Sequence, residues 1–201
     1  MIVGVFIESL LSEEGQEDKH QNFSTTSFQF KRDIWEFFTS EPDAQKWSCV
    51  EFGTHKGQTT RILSFLFEQV YTINLPGHFD SAKVFNADRS NIQYVEHDLY
   101  SGGSLAINRV IDVFFIDANH EYNNVMMDVD TVKSLLRCPE AYVIFDDYGG
   151  HIGVNIAVND LVENGDLEIV KFIGHRKGHS FGGNPERILK DWEGVICKIK
   201  K

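Results

Sequence analysis

The sequence predicts a doubly wound α/β domain on a mostly parallel, seven-stranded sheet that ends in a C-terminal antiparallel hairpin. Three observations predict it. Short apolar runs alternate with stretches of helical periodicity through five units. Acidic or amide residues follow these runs: Glu51, Asn74, Asp98, Asp117, and Asp146 with Asp147. The last two apolar runs have no helical pattern between them, so they are expected to pair with each other.

Residues 1–7 are apolar but few, lack a basic leader and run into acidic residues. They read neither as a signal peptide nor as a membrane span. Residues 12–19 are polar and acidic and read as a loop or mobile arm. From Ser27, the spacing of Phe28, Ile34, Trp35, Phe37 and Phe38 predicts an amphipathic helix ending near Pro42. Its aromatic stripe reads as core or as a homodimer contact. Residues 47–52 form the first strand, and the helix after Gly57 turns Ile62, Leu63, Leu66 and Phe67 inward.

Residues 70–73 form the second strand, stopped by Asn74-Leu-Pro-Gly77. A helix over 78–89, a third strand over 92–95 and a fourth over 111–116 follow. Tyr122, Val125, Met126, Val129, Val132, Leu135 and Leu136 recur at helical spacing. Residues 141–145 are the fifth strand, and Val154, Ala157, Leu161 and Val162 mark a helix that Asn164-Gly165 closes. Strands over 167–173 and 194–199, joined by a Gly-rich stretch, complete a Rossmann-like sheet. The whole is one domain, 1–201, with an N-terminal arm and helix in 1–44 and the sheet in 45–201.

Composition narrows the function. A hydrophobic fraction of 42% and a charged fraction of 24% are ordinary for a globular domain. The net charge of −11 argues against nonspecific binding to phosphate backbones, so no nucleic-acid partner is expected. The basic stretches 174–179 and 198–201 leave room for a local patch. Three cysteines lie far apart with no CxxC pair, which predicts free thiols and a reducing, cytoplasmic setting.

The chemistry centres on Glu51-Phe-Gly53-Thr54-His55-Lys56-Gly57. Glycine permits positive φ and close approach of a ligand. The following helix aims unpaired N–H groups at the same space. In this architecture the strand ends line one crevice. A dinucleotide fingerprint needs G-x-G-x-x-G and an acidic residue about 20 positions later. Here His55 stands at the middle glycine and Asn74 ends the second strand, which weakens that reading. A phosphate-binding G-x-x-x-x-G-K-[ST] loop is absent.

These residues resemble the first motif of the class I S-adenosylmethionine (SAM)-dependent methyltransferases. Ile111-Asp-Val-Phe-Phe-Ile-Asp117 is similar to their fourth strand. Phe115-Ile-Asp-Ala-Asn-His-Glu-Tyr122, with Val143-Ile-Phe-Asp-Asp-Tyr148 and Gly153-Val154, resembles a subgroup that includes small metal-dependent O-methyltransferases. The resemblance implies that Glu51, Gly53, Thr54 and Gly57 surround the methionine part of SAM. It places Asp98 at the adenine amino group, Asn74 at the ribose where the family has a carboxylate, and Asp117 beside the cofactor. A small-molecule acceptor is the implied partner.

Asp117, Asp146 and Asp147 raise a second argument. Adjacent strands lie about 4.8 Å apart. Carboxylates crowded at their ends must share protons or bind a cation, and oxygen ligands suit Mg²⁺ or another divalent ion. In the metal-dependent relatives the matching acids bind such an ion. The alternative is a helix cap beside a solvated acid. His120 stands where those relatives carry a lysine base, and it is the candidate catalytic residue. Its alternative, like that of Asp98, is a role at a helix start. His151 reads as a loop histidine, with a second base or a metal ligand as its alternatives. The sequence therefore points to a metal-assisted O-methyltransferase of a small hydroxylated metabolite. A metal-dependent hydroxylase-like enzyme on the same fold, and a non-catalytic cofactor- or metabolite-binding protein, stay open beside it.

Overall fold

A computed structural model describes residues 3–201. Strand β1 (Ser48–Phe52) sits inside the sheet because all five of its residues are buried. It pairs in parallel with β2 (Gln69–Asn74) on one side and with β4 (Val113–Ile116) on the other. β3 (Ile92–Glu96) extends the sheet beyond β2, and β5 (Glu140–Phe145) extends it beyond β4. β7 (Gly194–Lys200) then runs antiparallel between β5 and β6 (Leu167–Ile173), giving the order β3-β2-β1-β4-β5-β7-β6. The expected sheet and its C-terminal hairpin are both present.

Period-two alternation divides the core between the two faces. Phe114 and Ile116 of β4 face one cluster, and Val113 and Phe115 face the other. Helices α5 (Tyr122–Leu135) and α6 (Ile152–Glu163) cover the first face through Val125, Val129, Val132, Ala157 and Leu161. Helices α1 (Val3–Leu11), α2 (Phe28–Ser40) and α3 (Gln58–Leu66) cover the second through Ile7, Phe30, Trp35, Ile62 and Leu66. Of the apolar start, residues 3–7 thus belong to a helix that packs on the core through Ile7, Leu10 and Leu11. The aromatic stripe of α2 is spent there too: Trp35 and Phe38 are buried, while Phe28 and Phe37 lie partly buried against them. Among the described residues, no helix is long and apolar enough to cross a membrane.

Two expectations need correction. The helix expected over 78–89 is the short α4 (Asp80–Phe85). No helix joins β3 to β4 among the described residues; Ile107 and Ile111 pin an irregular crossover instead. The glycines and serines of 101–104 favour turns over a helical turn there.

The segment 12–27 also departs from the mobile arm expected at its start. It lies across the carboxyl ends of the strands as a strap. Gln58 Nε2 donates to Gly15 O at 2.6 Å, Arg61 pairs with Glu13, and Thr25 Oγ1 donates to Gln58 Oε1 at 2.8 Å. Ser27 ends the strap as the N-cap of α2. Its Oγ accepts from Phe30 N at 3.0 Å and donates to Glu193 Oε2 at 2.6 Å.

Candidate functional site

The Gly53 turn is shaped by its neighbours. Gly53 adopts φ +90°, and a Cβ there would lie 2.1 Å from the Asp117 carbonyl oxygen. The turn leaving β1 therefore presses directly on the turn leaving β4. His55, at the position of the missing glycine, also takes positive φ, 45°, which histidine tolerates better than bulkier or branched residues. Gly57 adopts φ +78° and opens α3, where a Cβ would meet Asn86 and Ala82. It faces that packing and lines none of the three spaces described next.

Three spaces meet at this turn. A cavity of about 530 Å³ is lined by Gly53, Thr54, Asn74, Asp98, Tyr100 and Asp117. That volume suits a small-molecule ligand. Asp98 Oδ1 accepts from Tyr100 N at 3.0 Å, so it caps a turn while facing the cavity, and no helix follows it. Asn74 accepts at Oδ1 from Leu75 N at 2.9 Å. A narrow slot of about 20 Å³ separates Glu51, Gly53 and Asp117 from Ser24 and Thr25 of the strap. A third cavity, about 380 Å³, is lined by Lys19, Phe23, His55, Asp117, His120 and Asp147. His55 and Asp117 border all three spaces.

Glu51 is fully enclosed, and its Oε2 accepts from Thr60 Oγ1 at 2.6 Å and Thr72 Oγ1 at 2.5 Å. Burial pushes its carboxyl up to about 8, against the pull of those two hydroxyls. Thr54 Oγ1 lies 2.6 Å from Thr72 Oγ1 and extends the same network toward the larger cavity. Sequence reasoning missed Thr60 and Thr72, because nothing local marks a threonine as a carboxylate partner.

The acids of β4 and β5 converge as expected. One carboxylate oxygen from each of Asp117, Asp146 and Asp147 falls within 4.8 Å of the others. The space beside Asp146 and Asp147 already holds a cation, the buried ammonium of Lys19. Lys19 Nζ donates to Asp147 Oδ1 at 2.9 Å and stands 3.8 Å from both Asp146 Oδ2 and Glu193 Oε1. Burial opposes its charge, yet Asp146, Asp147 and Glu193 outweigh that penalty and raise its pKa. Asp147 is held below the usual carboxylate range: burial works against this, and Lys19 and His120 prevail. Burial drives Asp146 well above that range, and its Oδ1 has no hydrogen-bond partner.

The expected Mg²⁺ does not fit this arrangement. Oxygen ligands approach divalent ions at about 2.0–2.6 Å, whereas the separations around Lys19 suit an ammonium. Lys19 and Glu193 were both invisible in the sequence. Lys19 sits in an acidic run that reads as solvated, and only the demand of buried carboxylates for a cation hints at it.

His120 Nε2 lies 3.4 Å from Asp117 Oδ1 and 3.4 Å from Asp147 Oδ2. Burial alone would lower its pKa, but the hydrogen bond to Asp117 and the charge of Asp147 raise it. The His151 ring lies 4.3 Å from that of His120, and burial holds His151 below the ordinary histidine value. His120 therefore borders the cavity at the entrance to α5, within reach of two carboxylates. Burial likewise raises Asp117, and the His120 hydrogen bond offsets part of the rise.

A family model described as a methyltransferase domain matches residues 50–148, which include the Gly53 turn, both acidic strand ends and His120. No curated protein matches the chain significantly in sequence. Solved structures do match in fold. The N-methyltransferase NodS from Bradyrhizobium japonicum, bound to S-adenosylhomocysteine, is 14% identical with a TM-score of 0.62, covering 99% of this chain and 98% of that one. A putative O-methyltransferase from Klebsiella pneumoniae is 16% identical with a TM-score of 0.58, covering 99% and 88%. A putative RNA methyltransferase from Pyrococcus horikoshii is 10% identical with a TM-score of 0.63, covering 100% and 96%. Residues 50–148 thus match a methyltransferase domain, and the chain shares its α/β fold with solved methyltransferases, one of them bound to S-adenosylhomocysteine.

Proposed function

We propose that this protein is a SAM-dependent methyltransferase that methylates a hydroxyl of a small metabolite. The observation that carries the reading is the meeting of the 530 Å³ and 380 Å³ cavities at His55 and Asp117, with His120 on the second. SAM supplies a methyl group already activated on sulfur, so the protein's task is to place the acceptor oxygen and remove its proton.

Asn74 and Asp98 offer hydrogen bonds to the adenosine part. Glu51 and Asp117, flanking the slot, suit the ammonium of the methionine part. That slot is water-sized as it stands, so entry of the methionine end moves Ser24 and Thr25 of the strap. His120 takes the acceptor proton, and Asp117 and Asp147 stabilise the imidazolium that forms. No step is assigned to a divalent ion.

The charge pattern favours a small acceptor over nucleic acid. Lys198 and Lys200 of the basic tail pair with Glu140 and Glu168, and Arg176 lies over Trp192. These contacts engage Lys198, Lys200 and Arg176, and the net charge of −11 works against phosphates.

Calorimetry with S-adenosylhomocysteine, SAM and NAD tests the cofactor. The two sulfur compounds bind, NAD does not, and Asp98→Ala weakens the binding. An ammonium placed at Glu51 favours its ionised form, so binding near pH 7 also releases protons, read as a heat that varies with the buffer. A folded protein that binds neither sulfur compound overturns the reading. Methyl transfer to a panel of hydroxylated acceptors, followed by mass spectrometry, then tests the reaction.

A further inference from the structure

Three buried carboxylates at one point require compensation, and the residue that supplies it comes from outside the sheet. Asp146 and Glu193 are 3% and 0% exposed, and Lys19, at 1%, is as deeply enclosed. The lysine reaches them from the strap, a segment remote in sequence from β5 and β7. Its ammonium lies over the rings of Phe23 and Phe181, with Nζ 5.5 Å from each centroid. The next residue fixes the strap from the other side: His20 Nε2 lies 3.1 Å from His179 Nε2. The ammonium is therefore held in place from several directions.

We propose that Lys19 is a tethered cation standing in for a divalent ion at Asp117, Asp146 and Asp147, so that this acidic cluster takes up a divalent ion only when Lys19 is removed. Two observations carry it. The ammonium sits within ion-pair distance of Asp146, Asp147 and Glu193 together. Asp146 Oδ1 is buried with no partner, so the pocket keeps one oxygen that an ammonium leaves unused and a multivalent ion would take. Lys19 acts through Asp147, whose other oxygen faces His120, and is a positioning residue. Its part in methyl transfer rests on the function proposed above; its part in excluding metal does not.

The test reads metal binding and not turnover, so it stands or falls apart from the methyltransferase reading. The full chain, stripped with EDTA, is titrated with Mn²⁺ and free ion is followed by electron paramagnetic resonance. Wild type shows no site that depends on Asp146. Lys19→Ala gains one site at least about tenfold tighter than any wild-type binding, and adding Asp146→Asn abolishes the gain. Ion held instead by His20, His175 and His179 survives Asp146→Asn and counts as no gain. Should Lys19→Ala fail to fold by circular dichroism, Lys19→Gln keeps the stem and a donor and replaces it. If neither folds, wild type decides, since absence of an Asp146-dependent site supports the proposal. Mn²⁺ binding by wild type that Asp146→Asn removes, or a folded Lys19 variant with no gain, overturns it.

Discussion

His120 and Asp147 face each other at 3.4 Å, Nε2 to Oδ2, with Asp117 at the same distance from the same nitrogen. Two acids around one imidazole favour its protonated form, and a general base works only when neutral. The rate of methyl transfer should therefore climb with pH through a midpoint above the ordinary histidine value of about 6.5. His120→Ala should lower kcat by about 10²–10⁴-fold and flatten that climb, with S-adenosylhomocysteine affinity unchanged. A variant with full activity across neutral pH removes His120 as the base.

Glu51 sets a pH dependence of stability. Its folded pKa of about 8 lies above its ordinary 4.5, so the folded state holds a proton that the unfolded state releases between those values. This contribution is complete below pH 4.5, shrinks as pH rises toward 8 and is gone above it. Thermal melts should show wild type losing more stability between pH 5 and 8 than Glu51→Gln, which has no proton to lose. Parallel curves for the two proteins would show that Glu51 is already ionised in the fold.

Ser27 serves two partners at once, capping α2 and donating to buried Glu193. Ser27→Ala removes a helix cap and leaves a buried carboxylate one donor short. The expected loss is about 2–3 kcal/mol in urea unfolding at pH 7. A loss under about 0.5 kcal/mol would mean that water replaces the hydroxyl at Glu193.

Asp128 lies fully buried on α5, with Oδ1 unpartnered and Oδ2 accepting from Tyr100 at 3.3 Å. Burial pushes its carboxyl up to about 7, so at pH 8 the fold holds a buried charge. Asp128→Asn keeps the shape without the charge. It should match or exceed wild-type stability at pH 8 by about 1 kcal/mol and show no advantage at pH 5. Tyr100 lines the larger cavity, so calorimetry on the same variant reports whether that support tunes ligand affinity.

The sheet was legible because its strands are short apolar runs, and the site was legible where acids mark strand ends. Asp98, Asp117, Asp146 and Asp147 all stand beside cavities as that logic requires. At Gly57 the space that a side chain would need is filled by Asn86 and Ala82, a packing contact that the spacing of the turn does not report. Lys19, Thr72 and Glu193 were illegible for a shared reason. Each acts through a partner distant in sequence, and neither hydrophobic period nor local spacing reports such pairs. The irregular crossover before β4 shows the same limit, because alternation of strand and helix predicts an element that Gly102 and Gly103 do not form.

The pairing of Ser27 and Lys19 with Glu193 has a consequence for biosynthesis. The strap is made early, but the residue that anchors it precedes β7, the final strand of the sheet to be synthesised. A chain growing from the ribosome can build β1 to β5 and dock the strap on α3 through Gln58 and Arg61, yet its Ser27 and Lys19 still lack Glu193. Competence to bind ligands would then arrive in one late event, when β7 slots between β5 and β6. Stalled or clipped chains lacking that strand would be inert and not partly active.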